Sequence, residues 1–136
     1  MKTLEQYALN VRIDVKVDAD DIQGLLESAL DGSVHGASYW CRLTESNAEK
    51  SSEQMVFQLV GGGLVLVESP DGEDVQNHTL TLKKLKRGFA MWFTNGHATH
   101  SYMKGTKDDG TLDLDIDGPQ ADVILQYALL GEQRYG

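Results

Sequence analysis

Residues 113–118 read DLDIDG: three aspartates alternate with apolar residues, and a glycine closes the run. An EF-hand calcium loop needs oxygen ligands at its first, third and fifth positions, glycine at the sixth and a bidentate glutamate at the twelfth. Counted from Asp113, the first four requirements are met, but Pro119 is seventh and Ile124 twelfth. The run therefore favours a structural role. Asp117 would cap a helix with Pro119 in its first turn, and the two earlier aspartates would lie exposed on a short strand.

The histidine and cysteine residues form no recognisable catalytic set. His97 and His100 have a spacing that can hold zinc on a helix. They follow a predicted helix end and lack further nearby ligands, so we predict surface histidines. Cys41 could be a nucleophile beside a histidine, but the alternation of SYWCRL (38–43) places it inward and favours an inert thiol. No G-x-S-x-G, G-x-x-x-x-G-K-[ST] or H-E-x-x-H motif occurs. We predict no catalytic set, cofactor or metal, and keep an enzyme that degrades a signal as an alternative.

The same stretch offers an aromatic platform for a ligand. Trp40 alternates onto the face that carries Arg42, opposite to Tyr39 and Cys41. An aromatic ring beside an arginine suits stacking of a base or another planar group. The other interpretation is that a helix covers this face and Trp40 belongs to the core. The candidate ligand-binding residues are Tyr39, Trp40 and Arg42, with Lys83, Arg87 and Arg134 as phosphate partners and Gln126 or Tyr127 near a site built from two chains.

Composition restricts the class of protein. The chain has 136 residues, a net charge of −9 and one cysteine, which is typical of a single domain in a reducing compartment. The acidic balance argues against direct nucleic-acid binding, which needs a surplus of Lys and Arg. The N-terminal residues lack the apolar run of a signal peptide, and no stretch is long enough to span a membrane. These features predict a cytoplasmic protein without a membrane partner.

Periodicity predicts an α+β fold, mainly an antiparallel sheet with about three helices, over residues 1–136. Strands are predicted at 10–17, 38–43 and 77–82. A hairpin is predicted through Gly61, Gly62 and Gly63, joining 55–60 to 64–69, with a turn at 70–74. Helices are predicted from Asp18 to about Asp31, from Thr81 to Gly96, and from Asp117 to Gly131. Residues 44–54 and 97–112 are predicted to be polar loops.

Three stretches of the chain carry a resemblance: GASYWCRL (36–43), LTLKKLKRGFAMW (80–92) and ADVILQYALLGEQRYG (121–136). Their order and spacing are similar to a group of small uncharacterised proteins encoded by phages and prophages of Gram-positive bacteria. The resemblance covers most of the chain and is weaker at the glycine run and at HATHSYMKG (97–105). It implies a small accessory protein in the host cytoplasm and names no activity.

The phage setting leads to the functional hypotheses. The first is a non-enzymatic counter-defence protein that binds and sequesters a small nucleotide-type immune signal. The alternative is an acidic inhibitor that binds a host defence protein, of the anti-CRISPR or DNA-mimic type. Because the helix ADVILQYALL is apolar nearly all round, it is predicted to be deeply buried or to lie at an interface. On that basis we predict a homodimer or higher homo-oligomer with this helix at or near the interface.

Overall fold

The computed structural model describes residues 15–30, 36–71 and 74–136. The elements in chain order are α1 (Ala19–Leu30), β1 (Arg42–Leu43), α2 (Glu45–Ala48), α3 (Ser52–Val60), β2 (Val65–Asp71), β3 (Asp74–Leu80), α4 (Leu82–Thr94), β4 (Met103–Thr106), β5 (Leu112–Leu114) and α5 (Gly118–Leu130). Strands β1, β2 and β3 form one antiparallel sheet in that order, and β4 pairs with β5 in a second. The α+β class is confirmed. The described residues hold five helices and two small sheets. The predicted number of about three helices and the prediction that the fold is mainly sheet were therefore wrong.

Local hydrogen bonds explain why three helices begin where the sequence predicted. At α1, the Asp18 side chain accepts from the Asp21 amide at 3.0 Å, and the Asp21 side chain accepts from the Asp18 amide. Thr81 caps α4, and Asp117 caps α5 with proline in its first turn. Gly131 ends α5 with φ 74, a left-handed conformation that glycine adopts without strain. A cap joins residues three apart, so sequence alone can locate it.

The predicted hairpin through the glycine run was wrong. Residues 52–60 form α3, which begins with a reciprocal capping box between Ser51 and Gln54. The side chains of Met55, Val56 and Leu59 are buried at helical spacing, and the glycines follow the end of the helix. The real hairpin joins β2 to β3, with Val65 opposite Leu80 and Asp71 opposite Asp74. Residues 72–73, which connect the two strands and belong to the turn predicted at 70–74, lie outside the described residues.

Other predicted elements changed in extent. Residues 36–40 form turns, and only Arg42–Leu43 of the predicted strand pairs with β2. The predicted loop at 44–54 contains α2 and the start of α3, and the loop at 97–112 contains β4. Of the strand predicted at 10–17, residues 10–14 lie outside the described part and 15–17 have no regular structure. No helix in the described part of the chain has the length and apolarity needed to cross a bilayer.

Helix α5 lies at the centre of the core. Its residues 121–128 are all buried, and it packs against α4, α1 and β3. The side chains of Leu125 and Ala128 are fully buried, and Tyr127 is 5% exposed. The apolar surface that led us to place α5 at an interface between copies is therefore covered within the chain, and that placement is corrected.

Candidate functional site

A buried carboxylate joins the turn at 36–40 to α5. The side chain of Asp122 is 7% exposed, in the first half of the helix. Its Oδ2 accepts a hydrogen bond from the Tyr39 hydroxyl at 2.6 Å, and its Oδ1 accepts one from the Trp40 indole nitrogen at 2.7 Å. The Gln126 amide, one turn further along α5, donates to Oδ1 at 3.0 Å. Three donors thus stabilise this charge, and no described Lys or Arg side chain pairs with it.

The Gln126 side chain also holds the segment that follows α5. Its Oε1 accepts from the backbone amides of Arg134 and Tyr135, both at 2.8 Å. Its Nε2 lies 3.2 Å from the Tyr135 carbonyl oxygen. The Tyr135 ring then stacks on Trp40, with ring centroids 5.3 Å apart and planes inclined at 17°. Residues 134–135 are therefore fixed by Gln126 of the preceding helix and by Trp40, which lies far away in the sequence.

A cavity of about 340 Å³ lies over this network. Its lining residues are Gly36, Tyr39, Pro119, Gln120, Asp122, Val123, Gln133, Tyr135 and Gly136. The Tyr39 side chain is 56% exposed and Tyr135 is 37% exposed, so each offers an aromatic surface to a ligand. A carboxylate has about four acceptor positions, and Asp122 uses three of them within the chain. Among the described residues that line the cavity none is Lys or Arg, so it favours a planar group with N–H donors over a phosphate.

Burial and the Asp122 charge also change the acidity of the neighbouring groups. Desolvation raises the pKa of the Tyr39 hydroxyl, and its hydrogen bond to Asp122 raises it further. Desolvation, with a smaller contribution from the Asp122 charge, raises the pKa of the Cys41 thiol to about 12. Cys41 is 2% exposed. The burial of this side chain predicted from the strand alternation is confirmed.

We predict that Cys41 is unreactive in the folded protein. Thiol reagents attack the thiolate, and a pKa of about 12 leaves almost none at pH 8. Titration with a chromogenic disulfide should therefore show slow labelling in buffer and rapid labelling of one thiol in concentrated urea. Rapid labelling under native conditions, with the protein shown to be folded by circular dichroism, would contradict the burial of this residue.

The structure brings together four of the eight predicted ligand-binding residues: Tyr39, Trp40, Gln126 and Arg134. The interpretation of Trp40 as a core residue is the correct one, since its side chain is 5% exposed and one face is covered by Tyr135. Its indole is thus not an open platform. The exposed ring is Tyr39, which the alternation had placed inward.

The other four predicted residues lie elsewhere. Arg42 pairs with Glu68 across β1 and β2 at 2.6 Å. Lys83 is exposed on α4, and the Arg87 guanidinium donates to the Ala128 carbonyl. The Tyr127 hydroxyl lies 2.7 Å from His97 Nε2. Neither Lys83 nor Arg87 lines the 340 Å³ cavity.

Sequence reasoning missed Asp122 and Tyr135. A signal for Asp122 was present, because it is the only charged residue in ADVILQYALL and a charge in an apolar helix needs buried partners. The sequence around Tyr135 gave no such signal. Its stacking on Trp40 depends on the path that the chain takes after α5.

A serine–histidine pair on the sheet was also missed. Ser69 Oγ and His78 Nε2 are 2.9 Å apart, and such a pair is part of many nucleophilic sites. Desolvation lowers the pKa of His78, and the charges of Lys84 and Arg134 lower it further. However, Ser69 is 5% exposed, and no carboxylate in the described part of the chain hydrogen-bonds to His78. The pair therefore satisfies a buried hydroxyl and offers a substrate no accessible nucleophile.

Comparison of the chain with family models, with curated proteins and with solved structures gives no match. In the described residues, no three or more His, Cys, Asp or Glu side chains are placed to hold a metal ion. The features that bear on function are therefore the geometry around Asp122 and the exposed surface of the chain.

Proposed function

We propose that this protein is a non-enzymatic phage counter-defence protein that binds and sequesters a small nucleotide-type immune signal in the bacterial cytoplasm. The observation that supports the proposal is the cavity over Asp122. The exposed Tyr39 ring lies at this cavity, and a buried carboxylate with one acceptor position left lies in its lining. A heterocyclic base could stack on Tyr39 and donate an N–H to Asp122. The resemblance to phage proteins supplies the biological setting.

The ligand's phosphates would lie outside the cavity. Asp122 repels them, and the nearest basic residue along the chain is Arg134, between the lining residues Gln133 and Tyr135. Its side chain is 47% exposed and pairs with Glu132 at 2.9 Å. A surface pair of this kind contributes little stability, so a phosphate could exchange with the Glu132 carboxylate.

The proposal is tested by thermal unfolding with cyclic mononucleotides, cyclic dinucleotides and ADP-ribose derivatives. A ligand at one hundred times its Kd stabilises the native state by roughly 2.7 kcal/mol, which a melting curve resolves. Tyr39→Phe keeps the ring and should retain the shift, whereas Tyr39→Ala should lose it. Recovery of the intact ligand after heat denaturation would separate sequestration from degradation. No shift with any of these compounds at millimolar concentration would refute the proposal.

An exposed apolar patch supports a second proposal, that the protein forms a homo-oligomer. The side chains of Phe57, Val60 and Leu64 are 83%, 56% and 41% exposed. Phe57 and Val60 are three residues apart on α3 and lie side by side on its outer face. Exposed apolar clusters of this kind mark interaction surfaces. With α5 enclosed, this patch is the surface through which we expect copies to associate.

Light scattering at micromolar concentration should give a mass above 15.0 kDa for the wild-type chain. Phe57→Glu should reduce it to the monomer because the charge cannot be buried against a second copy. Val75→Glu adds the same charge at another exposed apolar position and should leave the mass unchanged. Leu125→Glu should unfold the chain, since this side chain is fully buried. A wild-type monomer would contradict the proposal.

The same patch favours one alternative function, inhibition of a host defence protein. In that case the wild-type protein would be a monomer and would capture a defence protein from host lysate, and Phe57→Glu would abolish capture. A complex formed instead by the acidic surface would survive Phe57→Glu and weaken as the salt concentration rises.

A further inference from the structure

A groove runs along α4, away from Asp122. Two cavities, of about 670 Å³ and 260 Å³, share the lining residues Val17, Lys86 and Phe89 and therefore lie next to each other along α4; together we call them the α4 groove. The wider end reaches Phe93, and the narrower end reaches Val60. Small-molecule sites are typically apolar clefts of about 300–1,000 Å³ with a few polar groups. The α4 groove has this size and composition.

The wall opposite α4 is held in place by hydrogen bonds. The Lys16 carbonyl accepts from the Leu112 amide at 2.9 Å, which ties residues 15–17 to β5. Lys107 lies 3.0 Å from the Asp18 carboxylate and 3.2 Å from that of Asp21, at the start of α1. The α4 groove therefore lies between two fixed elements.

The charges around the groove favour an anion at its wider end. Lys86 lines both cavities, Lys16 lines the wider one, and neither ammonium group has a carboxylate partner in the described part of the chain. Asp18 is the only carboxylate among the described lining residues, and it is already paired with Lys107. On a chain of net charge −9, two unpaired lysines at one apolar groove mark a local preference for a negative group.

We propose that the α4 groove binds a single-chain anionic amphiphile, such as a long-chain carboxylate. The apolar chain would occupy the narrow end, and the head group would lie between Lys86 and Lys16. Helix α4 has 13 residues and is about 20 Å long, comparable to an extended acyl chain. A peptide helix is about 10 Å wide, and the narrow end of the groove has a volume of only about 260 Å³.

The test uses isothermal calorimetry on the full chain with dodecanoate and dodecyltrimethylammonium below their micelle concentrations and with dodecanol below its solubility limit. Dodecanoate should bind about tenfold more tightly than either of the others, which corresponds to one favourable charge contact. Equal binding of all three, or no binding of dodecanoate, would overturn the proposal. Binding of an acidic amphipathic peptide without binding of dodecanoate would also overturn it and identify a protein-docking surface.

Matched variants locate the site. Lys86→Glu should weaken dodecanoate binding at least about tenfold by replacing attraction with repulsion. Lys83→Glu makes the same change of charge on the same helix outside the groove lining and should have little effect. Ala90→Trp should block the wider end while the melting temperature stays close to that of the wild type, since Ala90 is exposed. Equal losses of dodecanoate affinity in Lys86→Glu and Lys83→Glu would show a general effect of charge and would refute the proposed site.

Discussion

Replacing Asp122 with alanine is expected to lower the free energy of unfolding by about 3–5 kcal/mol. The change leaves the Trp40 indole nitrogen without its acceptor and removes acceptors from the Tyr39 hydroxyl and the Gln126 amide. A hydrogen bond to a charged group contributes about 1.5–3 kcal/mol, and a buried donor left unpaired adds a desolvation cost. Urea denaturation followed by tryptophan fluorescence measures the loss, and the fluorescence should also report the altered environment of Trp40.

Two further variants separate the contributions of this network. Asp122→Asn keeps the side-chain volume but turns an NH₂ group towards the donors. It should therefore lower the free energy of unfolding, but by less than Asp122→Ala does. Tyr39→Phe removes one partner that is itself half-exposed and should cost about 1 kcal/mol. If Asp122→Ala were no more destabilising than Tyr39→Phe, the carboxylate would not be the centre of the network.

Adding a single methyl group at Gly88 is expected to destabilise the protein by about 2–3 kcal/mol. A Cβ at this position would lie 2.6 Å from the Ile124 carbonyl oxygen and 3.0 Å from the Ala128 Cβ. Both neighbours belong to α5, which is fully packed and cannot move away without disturbing the core. The loss outweighs the gain of about 1 kcal/mol that alanine normally brings to a helix interior.

Gly24→Ala is the matched control for this prediction. Gly24 lies within α1, and a Cβ there would meet no atom within 4 Å. Alanine should therefore raise the free energy of unfolding by up to about 1 kcal/mol through helix propensity alone. Urea denaturation should therefore show a lower free energy of unfolding for Gly88→Ala and a higher one for Gly24→Ala. A stabilising Gly88→Ala would show that α4 and α5 are not in close contact at this point.

The sequence by itself determined the features that depend on near neighbours. The starts of α1, α4 and α5 were predicted because each cap is made by residues three apart, and the end of α5 because glycine adopts the left-handed conformation there. The buried position of Cys41 was also predicted correctly. However, only Arg42–Leu43 of the strand predicted at 38–43 is a strand. The agreement between the predicted and the observed position of Cys41 is therefore partly fortuitous.

Only the tertiary structure decided the features that depend on distant neighbours. MVFQLV is apolar enough for a strand or a helix, and short runs of this kind are ambiguous by periodicity. The capping box of Ser51 and Gln54 is a local signal for the helix that the sequence prediction missed. The burial of Met55, Val56 and Leu59, in contrast, depends on the side on which the core lies. Whether Trp40 is open or covered depends on Asp122 and Tyr135, more than 80 residues away in the chain. Whether a side chain is buried depends on which distant segment of the chain packs over it. The local spacing of residues carries no information about that segment.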